Sequence, residues 1–327
     1  MSRFSPATAI ICSCVWLFAA ATSHAADKVT IIFPSVLELP SSGAYQVAKF
    51  RGYYDAANLE VEFIAGHGGV DAATQVGAGN ADFAAALGDT SMIVRSRGVP
   101  VRGVALMGGN GLMILTTREQ DGIKGPEDLR GKAISTVGYQ DSTYFALLAT
   151  LASVKIKSGD ADIQALGPTG VVQSFIHGDV KACACIPDHM VLAEDAGLKL
   201  KYLPSSNYVP VLGQALVTSD RDIKERPDVV RRFVQATLKA YVELRDHPVE
   251  TAKIYVQAVP AHKGKEAQLG RVYTYYAKYV WSNQPVAGQF DRDRVAKVQD
   301  SYYDLGIIKT KSPVDDLFSN QFVPAAK

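Results

Sequence analysis

Short apolar runs alternate with amphipathic segments along the first two thirds of the chain. The runs are rich in β-branched and small apolar residues, a composition typical of parallel strands that are covered on both faces. The segments between them place apolar residues three or four positions apart, which predicts helices. The pattern therefore predicts the order strand, helix, strand, helix, strand twice: over residues 29–33, 43–57, 59–64, 70–78 and 83–87, and again over 133–137, 142–154, 162–166, 169–177 and 182–186.

The two predicted units are copies of one motif. The sequence GNADFAAALGD (79–89) aligns without a gap with GDVKACACIPD (178–188), and each copy ends at an acid that follows an apolar run. A further apolar run follows each unit, at 112–119 and at 214–220, so the chain is expected to cross from one lobe to the other and back. Crossover connections through helices imply parallel strands in each lobe.

The predicted fold class is α/β, with two lobes that are each a mainly parallel sheet flanked by helices. The two crossing strands act as the hinge between them. We expect the first lobe to comprise residues 26–112 and 219–327, and the second lobe to comprise 113–218. Helical spacing of the apolar residues continues through most of the segment after residue 220.

The first 25 residues have the pattern of a secretory signal peptide. Arg3 supplies the positive start, AIICSCVWLFAAA the apolar core, and SHA a small-residue cleavage site before Ala26. The apolar stretch is shorter than a helix that spans a bilayer comfortably. The mature chain is therefore expected to be exported from the cytoplasm.

Charge and cysteine content narrow the possible partners. The formal net charge is +1 at pH 7, and it falls to zero when Arg3 is removed with the signal peptide, so neither nucleic acid nor a membrane is an expected partner. Cys183 and Cys185 remain in the mature chain. They share one face of a predicted strand, where a disulfide would be strained, so two buried free thiols are expected. His189 alone does not complete a zinc site, and no metal is expected.

Ligands of open parallel sheets bind at the carboxyl ends of the strands, where the loops leave the sheet. In this chain those loops are 34–45, 66–69, 88–91, 108–111, 138–143 and 187–189, and they are expected to converge on a cleft between the lobes. The candidate ligand-binding residues are polar or aromatic members of these loops, together with the first residue of the second crossing strand: Ser35, Glu38, Ser41, Tyr45, His67, Asp89, Thr90, Ser91, Asn110, Tyr139, Ser142, Thr143, Asp188, His189 and Gln214.

Most of these candidates have a purely structural alternative. Asp89, Ser91, Ser142 and Asp188 are favoured N-cap residue types, and capping alone stabilises a helix by about 1 kcal/mol. A catalytic role requires a nucleophile beside a base, but neither a Gly-x-Ser-x-Gly nor a His-Glu-x-x-His motif occurs. Cys185 with His189 is the best remaining pair, and only geometry can distinguish it from coincidence. The sequence therefore predicts a binding protein and not an enzyme.

Four longer stretches, AKFRGYYDAANLEVEF, VGAGNADFAAALGDTSMI, DLRGKAIST and RPDVVRRFVQATLKAYV, follow one another in a familiar order and spacing. In these stretches the chain resembles the periplasmic substrate-binding proteins of ABC importers in the nitrate, sulfonate, taurine and thiamine-precursor group. Asn58 stands where that family usually has Gly, and Asn also tolerates the left-handed conformation. The resemblance implies a type II-like periplasmic-binding-protein fold, a hinge-closing monomer without a cofactor, and delivery of a small solute to an ABC permease in the inner membrane.

The ligand class and the exact role stay open. GDTSMI is similar to the corresponding corner of the sulfonate binders, where an anion sits on helix N-termini. However, the candidate loops hold Glu38, Asp89, Asp141 and Asp188 but no Lys or Arg, which favours a neutral or weakly basic heteroaromatic such as a thiamine-precursor pyrimidine. A periplasmic sensor domain is the alternative to an importer component, and an enzyme acting on a small heteroaromatic is a third possibility.

Overall fold

The computed structural model describes residue 1 and residues 25–325. The predicted signal peptide therefore lies almost entirely outside the described residues. Within residues 25–325, no helix combines the length and the apolar character that crossing a bilayer would require.

Two five-stranded sheets organise the chain, one in each lobe. The first sheet has the order β2-β1-β3-β10-β4, and the second has the order β7-β6-β8-β5-β9. The strands are β1 Asp27–Phe33, β2 Leu59–Ala65, β3 Phe83–Leu87, β4 Val101–Met107, β5 Ile114–Arg118, β6 Ala133–Thr136, β7 Asp162–Ala165, β8 Ala182–Cys185, β9 Leu200–Pro204 and β10 Gln214–Ser219.

Helices flank both sheets, and the chain from residue 220 to residue 304 is mainly helical. A single π-helical turn, Tyr276–Val280, extends the eleventh α-helix. The α-helices are α1 Gly43–Phe50, α2 Tyr53–Ala56, α3 Gly69–Gly77, α4 Thr90–Arg95, α5 Ser142–Ser153, α6 Gly167–His177, α7 Pro187–Asp195, α8 Asp220–Glu225, α9 Pro227–Asp246, α10 Pro248–Ala258, α11 Glu266–Tyr275 and α12 Arg292–Asp304.

The two-lobed α/β architecture, the duplicated unit and the mainly parallel sheets are confirmed, and one antiparallel strand in each sheet makes the sheet mixed. β10 runs antiparallel to both β3 and β4, and β5 runs antiparallel to both β8 and β9. β5 is the first strand after the chain crosses to the second lobe, and β10 is the first strand after it returns to the first lobe. Each runs opposite to the other strands of its sheet. Because β10 begins at Gln214 in the first sheet, the return crossing spans 205–213, and the predicted lobe boundary at 218/219 falls several residues too late.

Alternate residues of the buried strands face different cores. In β3, Phe83, Ala85 and Leu87 pack against helices α1, α9 and α10, whereas Ala84 and Ala86 pack on the other face with α3 and α12. Both faces are covered, which accounts for the continuous apolar composition of this strand. The predicted helix over 43–57 is split, because Gly52 adopts a left-handed conformation with φ 68° between α1 and α2. Asn58 is also left-handed, with φ 54°, as its substitution for Gly predicts.

The expectation of free thiols is wrong, because Cys183 and Cys185 form a disulfide. The backbone of β8 brings their Cα atoms to 5.1 Å, which lies inside the usual range of about 4.4–6.8 Å for a disulfide. Both side chains are fully buried, on the face of the second sheet that packs against α6 and α7.

Asp89 occupies the corner between β3 and α4 and is fully buried. Its side chain makes no capping hydrogen bond to α4, and one carboxylate oxygen accepts a hydrogen bond from the Tyr302 hydroxyl on α12. The other oxygen has no partner. Burial raises the pKa of Asp89 from 3.8 to about 6, while the Tyr302 hydrogen bond partly opposes the rise.

We predict that Asp89 makes the protein less stable as the pH rises. Because the folded-state pKa exceeds the unfolded value, the stabilisation is complete below about pH 4 and is lost as the pH rises through about 6. Asp89→Asn preserves the shape and does not titrate. Between about pH 4 and 7, the free energy of unfolding of the variant minus that of the wild type should therefore increase by up to about 3 kcal/mol. Urea unfolding at several pH values measures this shift, and a pH-independent difference between the two proteins would contradict the assignment.

Candidate functional site

A cavity lies between the lobes, at the carboxyl ends of the parallel strands. The centre of a water molecule can occupy about 80 Å³ of it, and the space free of protein atoms is about 750 Å³ when open solvent at the mouth is counted. Its wall is formed by the loop after β1, the first turns of α3, α5 and α7, and the ends of β3 and β10. The lining residues are Phe33, Pro34, Ser35, Leu39, Ser41, Tyr45, Gly69, Ala85, Ala86, Leu87, Leu112, Val137, Asp141, Ser142, Thr143, Pro168, Ile186, His189 and Gln214.

The structure brings about half of the predicted site residues together around this cavity. Those that line it are Ser35, Ser41, Tyr45, Ser142, Thr143, His189 and Gln214. Contact between these residues and a ligand stays a prediction. Those that lie outside the lining are Glu38, His67, Asp89, Thr90, Ser91, Asn110, Tyr139 and Asp188.

Several of the residues outside the lining have identifiable structural partners. The Asn110 side chain donates to the Ser282 hydroxyl, and the Tyr139 hydroxyl donates to the backbone carbonyl of Ile163. His67 and Glu38 are exposed. Some of the predicted site residues therefore line the cavity, and others form hydrogen bonds outside it or are exposed to solvent.

Thr90 belongs to a contact that joins the lobes. Its hydroxyl lies 2.8 Å from the hydroxyl of Ser142, at the start of α5 in the second lobe. Beside this pair, the N–H of Val70 donates to the carbonyl of Gln140 across the same gap, at 3.2 Å. Gly68 makes the close approach possible: it has φ 115°, and a Cβ atom there would lie 2.5 Å from the Gln140 oxygen. The lobes are therefore closed on each other at this edge of the cavity.

Gln214 holds the opposite wall in place. Its side-chain N–H donates to the carbonyl of Ser41, and its side-chain oxygen accepts from the indole N–H of Trp281. Because both ends of the amide are used, Gln214 fixes the loop before α1 against the first residue of β10. Tyr45 follows on α1, with its ring edge-on to Phe33 at 5.1 Å between centroids.

The charge of the cavity wall is unusual for an anion site. Asp141 is the only ionisable acid in the lining, and the lining contains no Lys or Arg. Burial raises the pKa of Asp141, while the hydrogen bonds from Thr143 oppose the rise. Burial lowers the pKa of His189 to about 4, so its imidazole is neutral at pH 7. The Nδ1 atom of His189 is buried and has no hydrogen-bond partner.

Asp188 lies directly beside the wall, next to His189 in the first turn of α7. Burial raises the pKa of Asp188 to about 7. The Tyr276 hydroxyl and the backbone N–H of Ser41 lie close enough to oppose that rise, but neither meets the geometry of a full hydrogen bond. The carboxyl group is thus buried near the backbone of Ser41, and its hydrogen bonding among the described residues is incomplete.

Most of the apolar residues that line the cavity are not recognisable as such in the sequence. The missed residues fall into two groups: strand residues whose side chains turn toward the cavity at the end of β3, and loop or helix-start residues such as Leu112, Val137, Pro168 and Ile186. Polar loop residues stand out in a sequence, whereas an apolar residue that faces a cavity looks like one that faces the core. Asp141 is one of the acids in the candidate loops, and the structure shows that it also caps α5 by accepting a hydrogen bond from the backbone N–H of Thr143.

Two curated relatives are similar over most of the chain. The riboflavin-binding protein RibY of Chloroflexus aurantiacus is 24% identical over 287 residues, which cover 86% of this chain and 82% of the relative. The 4-amino-5-hydroxymethyl-2-methylpyrimidine phosphate synthase of Schizosaccharomyces pombe is 22% identical over 256 residues, which cover 73% of this chain and 72% of the relative.

Solved structures agree on the fold. The periplasmic aliphatic sulphonate-binding protein SsuA of Escherichia coli superposes with a TM-score of 0.68 at 12% identity, over 92% of this chain and 95% of that one. At this identity the match shows the periplasmic-binding-protein fold alone. The model of the NMT1/THI5-like family matches residues 40–251, more than half of the sequence, and the chain therefore belongs to the NMT1/THI5-like family.

Proposed function

We propose that this protein is a periplasmic solute-binding protein, which captures a small organic molecule between its lobes and delivers it to an ABC permease in the inner membrane. The observation that carries the proposal is the cavity between two lobes, closed by the Thr90–Ser142 contact. Hinge closure around a ligand is the usual mechanism of such two-lobed proteins. A sensor that passes the ligand to a receptor would use the same closure.

The chemistry around the cavity supports binding over catalysis. Cys185, the nucleophile of the best candidate pair, is held in the disulfide with Cys183 and is not a free thiol. Within the described part of the chain, the Nδ1 atom of His189 has no hydrogen-bond partner, so it activates no serine through that atom. A Cys–His or Ser–His pair is therefore not assembled among the described lining residues, and the hydroxyl of Thr143 is instead held by the carboxylate of Asp141, which caps α5.

The proposed ligand is an uncharged or weakly basic aromatic heterocycle. Phe33 and Tyr45 offer aromatic surface, and Asp141 offers a carboxylate acceptor for an amino group. An anion would need donors from helix N-termini, but two of the nearest are already engaged. The N–H of Val70 in α3 donates to the Gln140 carbonyl, and the N–H of Thr143 in α5 donates to Asp141.

The names of two relatives are compatible with this ligand class. RibY is named for riboflavin, an aromatic heterocycle, and the Schizosaccharomyces pombe synthase is named for an aminopyrimidine phosphate. SsuA is named for sulphonates, which makes a sulfonate the principal competing ligand class. The absence of a cationic side chain from the described lining favours the heterocycle.

We predict that a thermal-shift screen will select a heterocycle. The screen should contain riboflavin, aminopyrimidines, aromatic acids, taurine, alkanesulfonates and nitrate. A true ligand at a hundredfold excess over its dissociation constant stabilises the fold by about 2.7 kcal/mol, so it should stand out. Mass spectrometry of the solute recovered after incubation should show it unchanged. Stabilisation by sulfonates or nitrate alone would overturn the ligand class, and a chemically altered solute would overturn the binding role.

We predict that Asp141→Asn weakens the binding of an amino-bearing heterocycle by about tenfold or more. A hydrogen bond to a charged group contributes about 1.5–3 kcal/mol, and 1.4 kcal/mol corresponds to a factor of ten. Asp89→Asn is the matched control, because Asp89 lies outside the lining and pairs with Tyr302. Isothermal titration calorimetry on the three proteins measures the effect. Equal losses in both variants, or tighter binding in Asp141→Asn, would contradict the assigned contact.

We predict that Gly68→Ala weakens solute binding by disfavouring closure. Its Cβ would lie 2.5 Å from the Gln140 oxygen across the gap, and overpacking of this kind costs about 1–3 kcal/mol, which corresponds to about fivefold or more in affinity. Gly98→Ala is the control: Gly98 has φ 87° but has no atom within 4 Å of the added Cβ. It introduces an alanine at positive φ without the clash, and urea unfolding of both unliganded variants measures the separate backbone strain at Gly68, which has ψ 153°. Equal affinities for the two variants would contradict closure at this contact.

A further inference from the structure

Cys183, Cys185 and His189 lie close together at the junction of β8 and α7. Each offers one ligand atom, and these atoms all lie within 4.8 Å of one another. All three side chains are buried. We propose that, when its disulfide is reduced, this cluster is a binding site for one zinc-type divalent metal ion.

The ligand set suits such an ion. Zinc favours thiolate and imidazole ligands, and sulfur donors select soft or borderline metals over magnesium or calcium. Two donors on one zinc ion lie no more than about 4.6 Å apart, given Zn–S bonds of about 2.3 Å. After reduction, the two sulfur atoms, which are bonded to each other in the disulfide, must move apart to the roughly 3.7 Å that separates two thiolates on one tetrahedral zinc ion, whereas the His189 nitrogen needs only a small inward movement.

An independent observation on His189 points to a missing partner. Among residues 25–325, its buried Nδ1 atom has no hydrogen-bond partner, and the side chain is only 4% exposed. An unsatisfied buried polar atom costs about 1–3 kcal/mol, so such atoms are uncommon unless something outside the described chain completes them. Coordination of a metal through this histidine would complete the site.

The disulfide and the metal are mutually exclusive states of the same sulfur atoms. A dithiol reductant breaks the S–S bond, leaves two thiols on the protein, and is itself oxidised to a disulfide. Binding of the divalent ion then releases the two thiol protons. Three protein ligands leave the fourth position of tetrahedral zinc for water. Because His189 also lines the cavity, that cavity provides a route by which the ion could enter.

Cobalt binding to the reduced, mature protein tests the inference. The disulfide is reduced with a dithiol, the reductant is removed by gel filtration under nitrogen, and Co²⁺ is titrated. We expect one Co²⁺ per chain with thiolate-to-cobalt charge-transfer absorption, which added Zn²⁺ abolishes. The oxidised protein and the Cys183→Ser/Cys185→Ser double variant should show no such absorption.

Histidine variants test the third ligand. His189→Gln should weaken Co²⁺ binding by at least about tenfold, since one of three ligands is lost. His177→Gln, which alters an exposed histidine of the same lobe, should bind Co²⁺ as the wild type does. Circular dichroism monitors folding of each reduced protein, and a reduced chain that unfolds should regain its structure when Zn²⁺ is added. Absence of cobalt binding by the reduced wild type, unchanged affinity in His189→Gln, or failure of Zn²⁺ to restore structure would overturn the inference.

Discussion

The structure depends on the insertion of one antiparallel strand into the first sheet. β10 arrives from the second lobe and pairs on one side with β3 and on the other with β4. Without it, β3 and β4 would have no bridging strand between them. The same insertion places Gln214, the first residue of β10, at the cavity, where its side chain forms hydrogen bonds with both Ser41 and Trp281. The strand that completes the sheet therefore also positions the cavity wall.

Buried polar atoms without partners are concentrated around this wall. They include the hydroxyls of Ser35, Tyr45, Tyr273 and Tyr276 and both carboxylate oxygens of Asp188. Native proteins rarely leave buried polar groups unpaired, because each costs about 1–3 kcal/mol. Sites where this cost is tolerated are commonly functional, since a ligand or bound water can supply the missing hydrogen bonds. Of these, Ser35 and Tyr45 line the cavity, whereas Asp188, Tyr273 and Tyr276 lie outside the lining.

The sequence predicts the duplicated unit well because its strands carry a strong local signal. Phe83–Leu87 is continuous and apolar, and its observed bounds match those predicted. β4 and β9 are not predicted, for two different reasons. β4 contains Gly103, a poor strand former, and that position lacks a side chain because the Phe290 ring lies where a Cβ would sit. β9 lies at the edge of its sheet, where partial exposure and Pro204 weaken the pattern.

The candidate site could be located from the sequence but not resolved into its members. Loops at the carboxyl ends of the strands do form the cavity, because parallel topology brings those ends together. Which loop residues face inward depends on close contacts between the lobes. Ser142 lines the cavity while its partner Thr90 does not, although both begin helices after strands. No local property of the sequence separates two such hydroxyl residues.

The two corner acids show most clearly what the duplicated motif leaves undecided. Asp89 and Asp188 occupy equivalent positions in the two copies, and both are buried. Each meets a tyrosine from the C-terminal helical region, which lies outside the duplication. Tyr302 on α12 donates a hydrogen bond to Asp89, whereas Tyr276 in the π-helical turn approaches Asp188 without completing one.

The same helical region also contacts the second lobe through ion pairs. Arg271 on α11 forms ion pairs with Glu194 and Asp195 at the end of α7. The first turn of this helix contains Asp188 and His189. The duplicated units thus form two similar strand-to-helix junctions, at Asp89 and at Asp188. The C-terminal helices give these two acids different hydrogen-bond partners. One corner is closed by a full hydrogen bond within the first lobe. The other keeps unpaired polar atoms beside the cavity, and its position depends on contacts that cross between the lobes.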